Sequence, residues 1–115
     1  MIGRVEKGKQ GEARAAEILG IPKNSKRIPA PSGQAKYRIP DFMNESGRHI
    51  IEVKNVDKQG LTAQIKDDAA YVTRDGETGI VEIMVDTRTK ISGLLQRAHN
   101  DPNSPISIRV EELTK

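Results

Sequence analysis

Apolar residues fall along this chain in two rhythms, one of about 3.6 residues and one of two, and the alternation between them predicts the elements. Residues 7–19 carry Ala13, Ala16 and Leu19 at helical spacing. Gly20 and Pro22 follow as a stop, because glycine tolerates the left-handed cap and proline cannot continue a helix. Residues 21–36 hold Pro22, Pro29, Pro31 and Gly33 without periodicity, which predicts an irregular loop. Residues 38–43 and 48–54 read as two strands. Residues 61–73 place Leu61, Ile65, Ala69 and Val72 on one helical face, with Thr62 as a cap. The apolar run at residues 79–86 predicts a strand buried on both faces. A short helix at 92–99 starts from Ser92, and Ile106, Ile108 and Val110 alternate in a half-buried last strand over 105–110. The order α-β-β-α-β-α-β predicts an α/β sandwich around a mixed sheet.

Composition narrows this picture only a little. The 115 residues suit a single domain, 1–115. Phe42, Tyr37 and Tyr71 are the only aromatics, so aliphatic side chains must build the core. With no cysteine there is neither a disulfide framework nor a thiolate metal site. No run of about 18 apolar residues is available to span a membrane. The first residues lack the apolar core of a signal peptide, so an exported form would carry its leader in a longer protein. Charge is more telling. Residues 1–40 hold nine basic and three acidic side chains, a balance of +6, which leaves −3 for the rest of a chain whose net charge is +3. A basic front half suits a phosphate-bearing partner, but charge asymmetry alone points first to a solvated surface.

The chemistry concentrates in Arg38–Asn55, RIPDFMNESGRHIIEVKN. A hairpin turning at Ser46-Gly47 pairs residues whose numbers sum to 93, which sets Phe42 against Ile51 and Asp41 against Glu52. Lys54 then lies on the same face as Glu52, diagonal to Asp41. Phe42, Ile51 and Val53 form the opposite, dry face. Two facing carboxylates repel, and a divalent cation between them offsets that cost. Hard oxygen donors suit Mg²⁺ or Mn²⁺, with Zn²⁺ as a further candidate. Lys54 can orient or deprotonate a water, or neutralise charge building on a phosphoryl group. The plain alternative is a structural salt bridge.

Pro40-Asp41, ten residues, then Glu52-Val53-Lys54 resembles the PD-(D/E)XK nuclease superfamily, the restriction-endonuclease fold. Gly8, Gly11-Glu12, Tyr37 to Phe42, Glu52 to Asn55 and Leu61 to Gln64 resemble more closely the toxin domains of that fold at the C-termini of bacterial polymorphic and contact-dependent growth inhibition toxins. The resemblance implies that Asp41 and Glu52 bind the metal and that Lys54 is the catalytic lysine. It implies that Glu12 completes the metal shell from the first helix, with Glu6 and Glu17 as alternatives. Gln64 would orient the lysine or the substrate, with Asp68 and Tyr71 sharing its helix face at i+4 and i+7. Asn55 is a candidate for a polar contact beside the site. His49 and His99 have no ligand spacing and read as structural or surface residues.

The expected activity is therefore a metal-dependent endonuclease acting on nucleic-acid phosphodiesters. Lys26, Arg27, Lys36 and Arg38 are candidates for tracking the phosphate backbone. The motif needs no 2′-hydroxyl, so the lean towards a structured RNA such as tRNA rests on resemblance. A toxin implies an immunity protein as partner, action in the cytoplasm of a target bacterium, and delivery as the C-terminal piece of a larger exported protein. The rivals are a housekeeping repair or junction nuclease of the same fold and a non-catalytic nucleic-acid-binding module. Low aromatic content counts against stacking platforms for single strands.

Overall fold

A computed structural model describes residues 3–114. The first helix, α1, runs Arg4–Leu19, one turn earlier than the sequence predicts. It ends as expected at Gly20, whose left-handed backbone (φ 67°) lets its N–H reach the Ala16 carbonyl. Strands β1 (Phe42–Met43) and β2 (His49–Lys54) form the hairpin. A two-residue strand β3 (Lys58–Gln59) precedes helix α2 (Ala63–Val72), and a 3₁₀ turn at Arg74–Gly76 leads to β4 (Ile80–Asp86). Strand β5 (Lys90–Ile91), helix α3 (Gly93–Asn100) and strand β6 (Ile106–Glu111) follow. Thr62 and Ser92 cap α2 and α3, accepting the Ile65 and Leu95 amides.

The principal sheet has the order β1-β2-β4-β6, with β1 antiparallel to β2 and the other pairs parallel. It is mixed, as predicted, and both faces are covered. On one face α1 packs Ala15 over Phe42, Ile51, Val53, Met84 and Leu113. On the other, Ile65 and Val72 of α2 and Leu95 of α3 cover Ile50, Val81, Ile83, Val85 and Ile106. The β4 run is apolar because it serves both cores. Strands β3 and β5 pair in parallel as a separate two-stranded sheet that the sequence reading does not contain.

Three expectations need correction. The α1 stripe includes Ala15, which is buried, whereas Ala13 is exposed. Gly11, Ala15 and Leu19 follow each other at i+4, so the helix sits rotated from the predicted stripe. Gly11 lies so close to Asn55 that a Cβ there would fall 2.7 Å from the Asn55 Cβ. The hairpin connection is the five residues 44–48 rather than a two-residue turn. Gly47 N–H bonds back to the Asn44 carbonyl, Gly47 is left-handed (φ 69°), and Asn44 Oδ1 accepts the amides of Arg48 and His49. The strand predicted over 38–43 survives only at Phe42–Met43. Pro40 has no N–H to donate, and the groups of Asp41 are used differently.

The loop between α1 and β1 is irregular, as predicted, yet firmly fastened. Ile28 is buried in the core under α2, and its backbone forms an isolated bridge with Arg38. Asp67 of α2 accepts the Ser32 amide and hydroxyl and the Arg38 guanidinium at 2.8–3.0 Å.

Candidate active site

The register predicted for the hairpin is the one observed: Phe42 pairs with Ile51 and Met43 with Ile50. Asp41 stands one residue before β1, opposite Glu52. There the ladder passes from backbone to side chains. Val53 N–H donates to Asp41 Oδ2 at 2.8 Å, and Asp41 N–H donates to Glu52 Oε1 at 3.1 Å. These two bonds replace regular strand pairing and fix both carboxylates against each other. They also explain why β1 is short.

Glu52 alternates with Ile50 and so points to the face beneath α2. It is fully buried (0 % exposed), and its Oε2 has no hydrogen-bond partner. Lys54, two residues on, directs its Nζ to Gln64 Oε1 on α2 at 2.7 Å. The predicted partnership of Lys54 and Gln64 is thus present as a direct contact. Asp68, one turn after Gln64, is also fully buried, with neither carboxylate oxygen bonded. It lies within hydrogen-bonding reach of Glu52, but two ionised carboxylates are both acceptors and need a proton or a cation between them.

Electrostatics follow from this crowding. Burial, followed by the nearby Asp68, pushes the Glu52 carboxyl up to about 9. Burial and then the Glu52 charge push Asp41 up to about 7, against the pull of the Val53 amide and Lys54. Burial also raises Asp68. Ionising all three together is costly unless positive charge joins them.

The other predicted residues are placed less centrally. Glu12 forms an ion pair with Lys23 at 3.0 Å, and its charge reaches Asp41 through space. Glu12 is therefore engaged by Lys23 rather than drawn in with Asp41 and Glu52. Arg38 is committed to Asp67 (3.0 Å), with its side chain 18 % exposed. Lys26, Arg27 and Lys36 are exposed, and Arg27 stacks over the Tyr37 ring at 4.1 Å. Tyr71 packs beneath Arg74, which donates to the Ser46, Gly47 and Tyr71 carbonyls and ties the hairpin loop to α2. Asn55 is a buried hub: it donates to the Lys7 carbonyl and accepts from Arg88 and Thr114. His49 faces Glu82 at 3.6 Å, and His99 Nδ1 accepts the Ile108 amide.

On the sequence alone, a surface or packing role for Asp68 stands level with a functional one. A signal was present. Leu61, Ile65, Asp68 and Val72 follow the 4-3-4 spacing of a core stripe, and an acid inside such a stripe requires a partner.

A family model described as restriction endonuclease fold toxin 7 matches residues 8–95. That span includes α1 from residue 8 onwards, the whole hairpin, α2 and β4. No curated protein and no solved structure matches the chain.

Proposed function

Because this chain belongs to the restriction endonuclease fold toxins, we propose that it is a metal-dependent endonuclease whose reacting groups are Asp41, Glu52 and Lys54. The observation that carries this reading is the side-chain ladder: the Asp41 amide holds the Glu52 carboxylate and the Val53 amide holds the Asp41 carboxylate, with Lys54 two residues beyond Glu52 on the same strand. A hairpin built only for stability would not set two carboxylates against each other with one of them, Glu52, fully buried.

The donor set fits a hard divalent cation. Its oxygens are carboxylate, and one on Glu52 is buried without a partner. Asp41 and Glu52 would hold the ion, and Glu12, paired with Lys23 in this structure, would have to leave that lysine to support it from α1, directly or through water. Bound there, Mg²⁺ or Mn²⁺ (or Zn²⁺) would act as Lewis acid and lower the pKa of a water. The chain's own groups do the remaining work. Gln64 fixes the Lys54 ammonium, removing its rotamer freedom. Lys54 is then positioned to orient the attacking water or to neutralise charge on the phosphoryl oxygens. In-line attack would release a 5′-phosphate and a 3′-hydroxyl.

Lys26, Arg27 and Lys36 would track the phosphate backbone from the exposed loop, with Arg38 anchoring that loop through Asp67. A structured RNA such as tRNA is the substrate favoured by resemblance to toxins of this fold. An immunity protein with an acidic face would cover the basic loop, and the domain would act in the cytoplasm of a target bacterium after delivery within a larger exported protein.

The test is incubation with plasmid DNA and total RNA, with Mg²⁺, Mn²⁺ or Zn²⁺ and with chelator. Cleavage should require the ion and should fall at least about 100-fold in Asp41→Ala and Lys54→Ala. Cleavage indifferent to chelator, or full activity in either variant, would overturn the assignment.

A further inference from the structure

Three carboxylate oxygens are buried side by side without a donor: Glu52 Oε2 and both oxygens of Asp68. Both residues are 0 % exposed. Buried polar atoms in folded proteins nearly always find a partner, and a buried charge costs far more than a neutral group. The amide of Asp41 serves Glu52 Oε1, not Oε2. Lys54 donates to Gln64, and Arg38 donates through Nε to Asp67, the residue next to Asp68. Both charges reach Asp68 through space, but neither cation hydrogen-bonds these oxygens.

We propose that Asp68 is itself a ligand of the catalytic cation, so that α2 contributes a carboxylate to a metal site otherwise built on the hairpin. This rests on the nuclease reading and alters its ligand set: the ion is shared by Glu52 and Asp68, and Glu12 stays with Lys23. The local sequence fits such a role. Thr62 caps α2 at its N-terminus, and Ile65 and Val72 lock the helix into the core. Asp68 lies between those two anchors and has little freedom to turn to solvent. Asp67, its neighbour, holds the loop through Ser32 and Arg38. One turn of α2 thus clamps the loop with one acid and faces Glu52 with the next.

The test is Mn²⁺ binding to the purified chain by calorimetry, with melting temperature as a second readout. Asp68→Asn should weaken Mn²⁺ binding at least about tenfold, as loss of a charged ligand would. In chelator the same variant should melt above the wild type, because a neutral amide costs less to bury than a carboxylate. Unchanged Mn²⁺ affinity in Asp68→Asn, with binding lost in Asp41→Asn and Glu52→Gln, overturns this proposal and leaves the nuclease reading standing. No Mn²⁺ binding by the wild type overturns both. Anomalous diffraction from wild-type crystals soaked in Mn²⁺ decides the point without any variant. An ion within roughly 2.0–2.6 Å of an Asp68 oxygen supports the proposal, and an ion held without Asp68 refutes it.

Discussion

At the scale of single residues, two buried acids, Asp67 of α2 and Glu52 of β2, behave in opposite ways. Burial pulls the Asp67 carboxyl up, but the Ser32 amide and hydroxyl and the Arg38 guanidinium outweigh it and hold the group below the usual carboxylate range. Its stabilising contribution is therefore present above the ordinary aspartate pKa and is lost as pH falls through the lowered value. Asp67→Ala removes all three bonds and should cost on the order of 3 kcal/mol, read from denaturant melts near neutral pH. Glu52 has the opposite sign. Its folded value is raised from the ordinary 4.5 to about 9, so the folded chain holds a proton that the unfolded chain has released. Stability from this group is full below about 4.5 and declines as pH rises towards 9. In chelator, Glu52→Gln should gain on the wild type steadily across that window. Parallel melting curves at pH 5 and pH 8.5 would contradict the burial argument.

At the scale of elements, close approach decides which glycines matter. Gly8 and Gly11 both lie in α1. A Cβ at Gly8 meets nothing within 4 Å, so Gly8→Ala should stabilise by about 0.5–1 kcal/mol through helix propensity alone. A Cβ at Gly11 would lie 2.7 Å from the Asn55 Cβ, and Asn55 ties α1 to Arg88 and Thr114. Gly11→Ala should therefore destabilise by about 1–3 kcal/mol despite the better propensity. Thermal melts of the two variants should move in opposite directions. The hairpin register belongs to this scale too. It could be read from the sequence because alternation fixes which residues share a face, and a slip by one would bury Glu52 under α1 instead of α2. The length of β1 could not be read. Nothing in a strand pattern announces that the Asp41 carboxylate will accept an amide in place of a backbone carbonyl.

At the scale of the whole molecule, the sheet is covered on both faces and the hairpin bearing Asp41 and Glu52 lies at one edge of it. No helix among the described residues is long and apolar enough to cross a membrane. The basic residues of the front half divide by what they touch. Arg38 is consumed by Asp67 and Lys23 is paired with Glu12, while Lys26, Arg27 and Lys36 face solvent. The triple change of Lys26, Arg27 and Lys36 to alanine, in a Lys54→Ala background that cannot cut, should weaken binding to RNA. It should flatten the dependence of log Kd on log salt by about 2–3, close to 0.7–0.9 per contact. Fluorescence anisotropy over a salt series measures this, and an unchanged slope would place the phosphate path elsewhere.

The sequence by itself determined the order of the principal elements, the caps at Thr62 and Ser92, the glycine stop at Gly20 and the pairing of Asp41 with Glu52. Each of these follows from local periodicity, from turn chemistry or from a residue's own backbone preference. The tertiary structure alone decided the rest. Ala15 rather than Ala13 faces the sheet, because an alanine-rich helix offers little hydrophobic contrast to fix its rotation. The two-residue strands β3 and β5 pair because the surrounding elements bring them together, and two residues carry no period. Above all, Asp68 meets Glu52 only once α2 is laid across β2. Sixteen residues separate them in the chain, and no local rule connects a helix face to the particular strand it will cover.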